Sequence, residues 1–190
     1  MNYQQVQDNG SYNMFGCRAD LERNSILFEG EFAMQSSHHI KANLLSLNLG
    51  YKTDQFDWIK SLTAGLDIVS GDDSKTDELE GFSKYFGARH KHHGYYDYSS
   101  HKRYFGHAHE GLQELNLKGK FNFLASSNLL VAMHSFSSHD GITKYGNELD
   151  LIIKRKVSDE LSSEFGLVFY DPEAGDDLLT FMYVMFTANL

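Results

Sequence analysis

The sequence predicts an all-β protein with the architecture of an antiparallel, up-and-down transmembrane β-barrel. Apolar and polar residues alternate with a period of two through much of the chain, which is the side-chain period of a strand. Aromatic residues make up 14% of the sequence beside 16 glycines and one proline, a composition suited to strands joined by glycine-containing turns. The connections between the predicted strands also differ in length, as they do at the two surfaces of a membrane barrel.

About nine strands are predicted. In 115–123, Leu115, Leu117 and Phe121 share one face, while Lys118 and Lys120 share the other. Similar alternation marks 26–35, 62–69, 148–154 and 164–169, and weaker alternation marks 12–20, 41–51, 129–136 and 179–190. Both faces of the last segment are apolar, so the sequence does not assign them.

The segment 70–110 is predicted to be a long external loop. The links that follow are short, medium, short and medium in turn, at 124–127, 137–146, 157–161 and 171–177. Barrels with short periplasmic turns and longer external loops show this asymmetry. Before residue 70 this alternation of loop lengths is weaker, because 36–39 is short for an external loop and 52–60 is long for a periplasmic turn. We expect residues 1–11 to be an N-terminal stub and 12–190 to be the barrel.

Composition and charge exclude several other classes. The formal net charge is −9, and nucleic-acid binding requires clustered Lys and Arg, so no nucleic-acid partner is expected. Cys17 is the only cysteine, which rules out an internal disulfide. No apolar run is long enough for a membrane-spanning helix, although the mean hydropathy of −0.44 does not test for barrel strands. The first residues lack a signal-peptide pattern, so either the protein is not exported or its beginning lies upstream.

Several short motifs resemble the alginate-export family of outer-membrane proteins. The segment 65–73 (GLDIVSGDD) is similar to a strand and Ser-Gly-Asp-Asp turn of that family. His90-Lys91 with 94–98 (GYYDY) resembles a segment of the family's long loop. Further matches in the same order are 16–18 (GCR), 28–30 (FEG), 49–51 (LGY), 111–115 (GLQEL) and 148–151 (ELDL).

The resemblance implies a large single-chain barrel in the bacterial outer membrane, with about twice the strands seen here. This chain would then be about half of that barrel, its C-terminal half, and the missing N-terminal half would be its partner. It also implies contact with the lipid bilayer and a pore for passive diffusion or export of a polysaccharide, an oligosaccharide or other small solutes. No cofactor is expected.

If the apolar faces meet lipid, the opposite faces line the pore. The lining mixes both charges, which favours a general solute or oligosaccharide pore over one dedicated to a polyuronate, since a polyuronate would be held on cations. Alternatively, these charges pair across adjacent strands and hold the wall together. The predicted lining residues are Arg18, Glu29, Glu31, Lys41, Asp67, Glu114, Lys118, Lys120, His134, Glu148, Asp150 and Lys154.

The long loop is rich in polar side chains. Its six histidines, at 90, 92, 93, 101, 107 and 109, have no diagnostic ligand spacing, so we expect solvated imidazoles rather than a metal site. The segment 72–80 lacks the glycine and terminal glutamate of a calcium loop, which favours a turn. The predicted external-loop residues of interest are Asp72, Asp73, His90, Lys91, Tyr95 and Asp97.

Two other function classes stay open at this point. A soluble β-sandwich that binds carbohydrate or metal would show the same alternation of faces. A surface hydrolase would need loop acids and histidines to assemble into a site. The sequence contains no nucleophile elbow, phosphate loop or zinc-protease motif, so we do not expect an enzyme.

Overall fold

A computed structural model describes residues 12–83, 93–96, 109–173 and 177–188. The described residues form nine strands and no helix. The strands are β1 (Asn13–Arg23), β2 (Ile26–Ser36), β3 (Lys41–Lys52), β4 (Ile59–Val69), β5 (Leu112–Asn122), β6 (Ser127–Ser137), β7 (Lys144–Lys156), β8 (Leu161–Pro172) and β9 (Leu179–Ala188).

All nine strands belong to one antiparallel sheet, in which each strand pairs with the next along the chain. This up-and-down meander confirms the predicted fold class, and β1 and β9 form its two edges. A sandwich would place the strands in two stacked sheets, so the soluble sandwich is wrong for the described part of the chain. The strands contain 10 to 13 residues, enough for a tilted strand to cross a bilayer.

The connections at the two ends of the sheet differ as the sequence predicts. The short-turn end carries 24–25, 53–58, 123–126 and 157–160. Asn24 and Ser25 both have positive φ angles, of 48° and 72°, which is the backbone of a tight two-residue hairpin. The long-connection end carries 37–40, 70–111, 138–143 and 173–178.

The sheet exposes its apolar side chains and buries its polar ones, which is the reverse of the pattern in soluble proteins. In β5, Leu115 and Leu117 are 58% and 59% exposed, whereas Glu114 and Asn116 are 0% and 4% exposed. Large apolar side chains are exposed in the same way along most of the other strands. Soluble folds bury leucine and expose glutamate, but barrels in lipid turn the apolar face outward. We call the two sides the apolar face and the polar face.

Register assigns the faces of β9, which the sequence leaves open. Phe181 pairs with Val168 and Tyr183 pairs with Gly166, so both rings lie on the polar face of the sheet. A side chain at Gly166 would collide with the Tyr183 ring. Glycine is therefore required there by a close approach rather than by its backbone freedom.

The described residues form no helix with the length and apolar character of a membrane span.

Candidate functional site

Four residues of the long connection, His93–Tyr96, lie against the polar face of the sheet. We call them the inner segment. His93 contacts β4 and β5, the backbone at Tyr95 and Tyr96 contacts β7, and their rings contact β9 and β8. The connection therefore folds back over the polar face near the long-connection end.

Glu148 of β7 anchors the backbone of the inner segment. Its Oε1 accepts hydrogen bonds from the Tyr95 N–H at 2.6 Å and from the Tyr96 N–H at 2.9 Å. Gly94 makes this geometry possible, because its φ is +80° and a side chain there would collide with the Glu148 carboxylate. One side-chain oxygen that accepts from two successive backbone N–H groups ties the inner segment to β7.

Replacing Gly94 by alanine is expected to loosen the inner segment. The left-handed backbone alone costs an L-residue about 1–2 kcal/mol, and the new methyl also displaces the Glu148 carboxylate. We expect the Tyr95 and Tyr96 amides to lose roughly tenfold or more of their hydrogen-exchange protection, as about 1.4 kcal/mol implies. Gly141→Ala is the matched control, since its φ is +73° but its added carbon would meet only the Gln113 amide oxygen, at 3.3 Å. Unchanged protection in Gly94→Ala would contradict this tether.

Beside the tether, carboxylates and imidazoles form a continuous buried chain. Glu114 of β5 lies between two histidines, with its Oε2 2.6 Å from His93 Nδ1 and its Oε1 2.6 Å from His134 Nδ1. Asp67 Oδ2 of β4 lies 3.5 Å from His93 Nδ1, and Asp150 Oδ2 of β7 lies 3.3 Å from His134 Nε2. We call these five residues the histidine–carboxylate cluster.

Strand register brings the cluster together. Asp67 pairs directly with Glu114, and His134 pairs directly with Glu148, so all of these side chains point to the polar face. Every member of the cluster is at most 5% exposed. Buried charges are costly unless paired, which makes the alternation of carboxylate and imidazole the stable arrangement.

Some cluster oxygens have no hydrogen-bond partner among the described residues. They are Oδ1 of Asp67 and Oδ1 of Asp150, while Oδ2 of Asp150 has only the 3.3 Å contact with His134. Buried polar atoms are nearly always satisfied in proteins, so such atoms indicate a missing partner. The cluster can therefore accept a cation or further donors.

Aromatic rings support the inner segment on its other side. Tyr95 stacks on Tyr183 at 6.2 Å between ring centroids, and Tyr96 stacks on Tyr170 at 5.5 Å. Tyr96 also meets the edge of Phe181 at 6.4 Å. Burial raises the pKa of the Tyr95 phenol above its ordinary value, which keeps it protonated. Tyr170 is fully buried, but the exposed parts of Phe181 and Tyr183 offer a surface suited to the apolar faces of a sugar.

A second part of the long connection, residues 79–83, also packs on the sheet. The Gln35 side chain binds the Ser83 backbone twice, donating to its carbonyl at 2.6 Å and accepting from its N–H at 3.0 Å. Ser70 Oγ donates to the Glu80 carbonyl at 2.6 Å. Phe82, 3% exposed, joins an apolar cluster with Val69, which is fully buried. Residues 79–83 therefore cover part of the polar face at the long-connection end of the sheet.

The predicted loop residues Asp72 and Asp73 organise a turn. Asp72 Oδ1 accepts from the Glu80 N–H at 3.0 Å, and Asp73 Oδ1 accepts from the Lys75 N–H at 3.0 Å. They line a polar cavity of about 600 Å³ at the long-connection end, together with Glu110. Of the other loop predictions, Tyr95 belongs to the inner segment, while His90, Lys91 and Asp97 lie outside the described residues.

The remaining predicted lining residues fall into local groups. Arg18 pairs with Glu29 and Glu31 near the β1 edge. Lys154 pairs with Glu164 at 2.7 Å. Lys41 pairs with Glu78 at 2.6 Å, but its register with Ser36 places it on the apolar-face side of β3, opposite to the other predicted lining residues. The pairs of Arg18 and Lys41 are largely exposed and contribute little stability, whereas the Glu164 side chain is mostly buried. Lys118 and Lys120 instead line a cavity of about 160 Å³ that also reaches Asp67.

Sequence reasoning missed two parts of this site. The expectation of a solvated imidazole is wrong for His93, which is only 5% exposed and contacts Glu114. Asn116, 4% exposed and donating to Glu114 Oε1 at 3.3 Å, was not among the predicted residues either. The alternation within β5 places Asn116 on the same face as Glu114, so the sequence pattern could have identified Asn116. Nothing in the sequence indicates that the connection returns to the sheet.

Comparison with known proteins identifies the family of this chain. A family model described as alginate export matches residues 2–178. No curated protein and no solved structure matches the chain. The match covers most of the chain and concerns a family of outer-membrane transport proteins. This protein is therefore a member of the alginate-export family.

Proposed function

We propose that this chain forms part of a pore in the bacterial outer membrane that conducts saccharides or other small solutes by passive diffusion. The reversed exposure of the sheet carries the proposal. A surface of exposed leucine, phenylalanine and methionine side chains suits contact with lipid acyl chains. The opposite, polar face then lines a water-filled lumen, and the inner segment forms a constriction within it.

The lining suits weak and repeated contact with solute rather than chemistry. Lys118 and Lys120 offer cations that can hold carboxylates, while Tyr183 and Phe181 offer stacking surfaces. Conduction requires binding sites that release their solute, and exposed or half-buried single charges meet that condition. A transport role without catalysis fits this arrangement.

The lumen requires more strands than the sheet contains. Within the described part of the chain, the edge strands β1 and β9 each have one unpaired side. An open edge in lipid leaves backbone groups without hydrogen bonds. We propose that further strands, the missing half of the barrel, pair with both edges and close the wall. These strands can belong to the same polypeptide or to another.

Channel recording tests the proposed pore directly. The full-length protein, extracted from outer membranes in detergent, would be inserted into planar bilayers and its conductance measured. We expect an open channel whose current is reduced by saccharide oligomers added to one side. A protein that stays in the aqueous fraction and produces no conductance would overturn the proposal.

The two cavity lysines are expected to control preference for acidic saccharides. The double variant Lys118→Glu/Lys120→Glu removes two attractions to the carboxylates of a uronate, each worth about 1 kcal/mol in water. Uronate oligomers should therefore block the current roughly fivefold less tightly for each lysine replaced. The reversal potential in a salt gradient should also move toward cation selectivity. Lys156→Glu is the control, because that lysine is the last residue of β7, at the short-turn end of the sheet, and pairs with Asp159 at 2.6 Å. Equal effects of both variants would argue against a lumenal position for the cavity lysines.

A further inference from the structure

We propose that Asp67, His93 and Glu114 bind one divalent transition-metal ion, with Zn²⁺ as the best match. One potential ligand atom from each residue lies within 4.8 Å of the other two. His93 comes from the inner segment, whereas Asp67 and Glu114 come from adjacent strands β4 and β5. The ion would therefore bind the long connection to the wall.

Asp67 has one carboxylate oxygen, Oδ2, beside His93 and a second, Oδ1, that is buried and unsatisfied in the described part of the chain. The residue is 5% exposed, and its Oδ1 has no hydrogen-bond partner among the described residues. An unsatisfied carboxylate oxygen at this depth is costly. A metal ion bound at the cluster would supply the missing partner.

Charge also favours a cation between the two strands. Asp67 and Glu114 are directly paired in the register of β4 and β5. Like charges directly opposite each other destabilise a sheet. A divalent ion between the two carboxylates would replace that repulsion with two attractive contacts.

The distances are compatible with coordination after a small shift. His93 Nδ1 lies 2.6 Å from Glu114 Oε2 and 3.5 Å from Asp67 Oδ2. Ligands of tetrahedral zinc at about 2.0–2.1 Å from the ion are roughly 3.3 Å apart. The Glu114 carboxylate would have to retreat by under about 1 Å, and His93 would release the proton on Nδ1 to solvent as the ion binds.

Surrounding residues provide orientation and access. His134 Nδ1 contacts the other oxygen of Glu114 at 2.6 Å, in the manner of an outer contact that holds a metal ligand in place. The cavity of about 160 Å³ beside Asp67 leaves room for water to complete the coordination. One imidazole with two carboxylates selects zinc and similar ions over calcium and magnesium, which prefer oxygen ligands alone.

Calorimetric titration with ZnCl₂ tests the site on the full-length protein in detergent after chelator treatment. The wild type should bind one Zn²⁺ tightly, and Asp67→Asn and His93→Ala should each weaken that binding by roughly 100-fold, since even outer-contact changes cost 10–100-fold. The double variant His38→Ala/His39→Ala removes two exposed histidines and should leave the tight site unchanged. Absence of tight binding in the wild type, or wild-type affinity in both ligand variants, would overturn the proposal.

X-ray absorption at the zinc edge provides a readout that does not depend on how the variants fold. The zinc-loaded wild type should show one nitrogen and at least two oxygen neighbours at about 2.0–2.2 Å. A shell of histidine nitrogens alone would place the ion elsewhere and refute the site. Neither experiment measures conductance, so its outcome is independent of the proposed pore.

Discussion

Glu114→Ala is expected to lower the free energy of unfolding by about 3–5 kcal/mol, the cost of removing one partner from a buried charge pair. Glu114 is fully buried and is the common partner of His93 and His134, at 2.6 Å from each. Its removal takes the nearest acceptor from both imidazoles and leaves a cavity in the wall. Chemical unfolding in lipid vesicles, with a chelator present, measures the change free of any metal contribution.

Glu29→Ala is the matched control for this variant. Glu29 lies on the same face and pairs with Arg18, but its side chain is 41% exposed. An exposed ion pair contributes about 0–1 kcal/mol, so the same substitution should cost little there. Equal losses of stability in the two variants would show that burial of Glu114 does not set the effect.

Leu117→Arg is expected to destabilise the membrane-inserted protein by about 2–4 kcal/mol, the cost of arginine at the bilayer midplane on the lipid face of a barrel. Leu117 lies in the middle of β5 and is 59% exposed. Its neighbours in the register, Ala64 and Met133, are on the same apolar face and offer no partner for a cation. Unfolding from vesicles of defined thickness measures the loss.

The adjacent residue supplies the control for the lipid-facing position. Lys118→Arg places the same guanidinium one residue along β5, on the polar face. We expect a change within about 0.5 kcal/mol, as for most surface substitutions. If Leu117→Arg were equally mild, its side chain would be in water, and the membrane orientation of the sheet would be wrong.

The inner segment gives the proposed pore a defined narrow point. Glu148 holds its backbone, Tyr170 and Tyr183 hold its rings, and Glu114 contacts its histidine. With Asp67 of β4, which also contacts the histidine, five strands contribute directly to its position: β4, β5, β7, β8 and β9. A constriction fixed at several points restricts solute size more sharply than a loop attached only at its ends.

Much of the fold was determined by the sequence alone. The period-two pattern predicted nine strands, their approximate positions and the uneven connections between them. It also placed Asp67, Glu114, Glu148 and Asp150 on one face, because side chains alternate strictly along a strand. Short motifs indicated the alginate-export family, which the match over residues 2–178 confirms.

Only the tertiary structure decided which of these residues meet. Register between strands paired Asp67 with Glu114 and assigned the faces of β9, neither of which follows from the pattern within one strand. The return of His93–Tyr96 to the sheet was equally hidden, since it depends on contacts between residues far apart in the chain. The local periodicity of the sequence predicts which face of its strand each side chain occupies. A buried cluster depends instead on how distant segments pack together, and this packing is fixed only when the whole sheet forms.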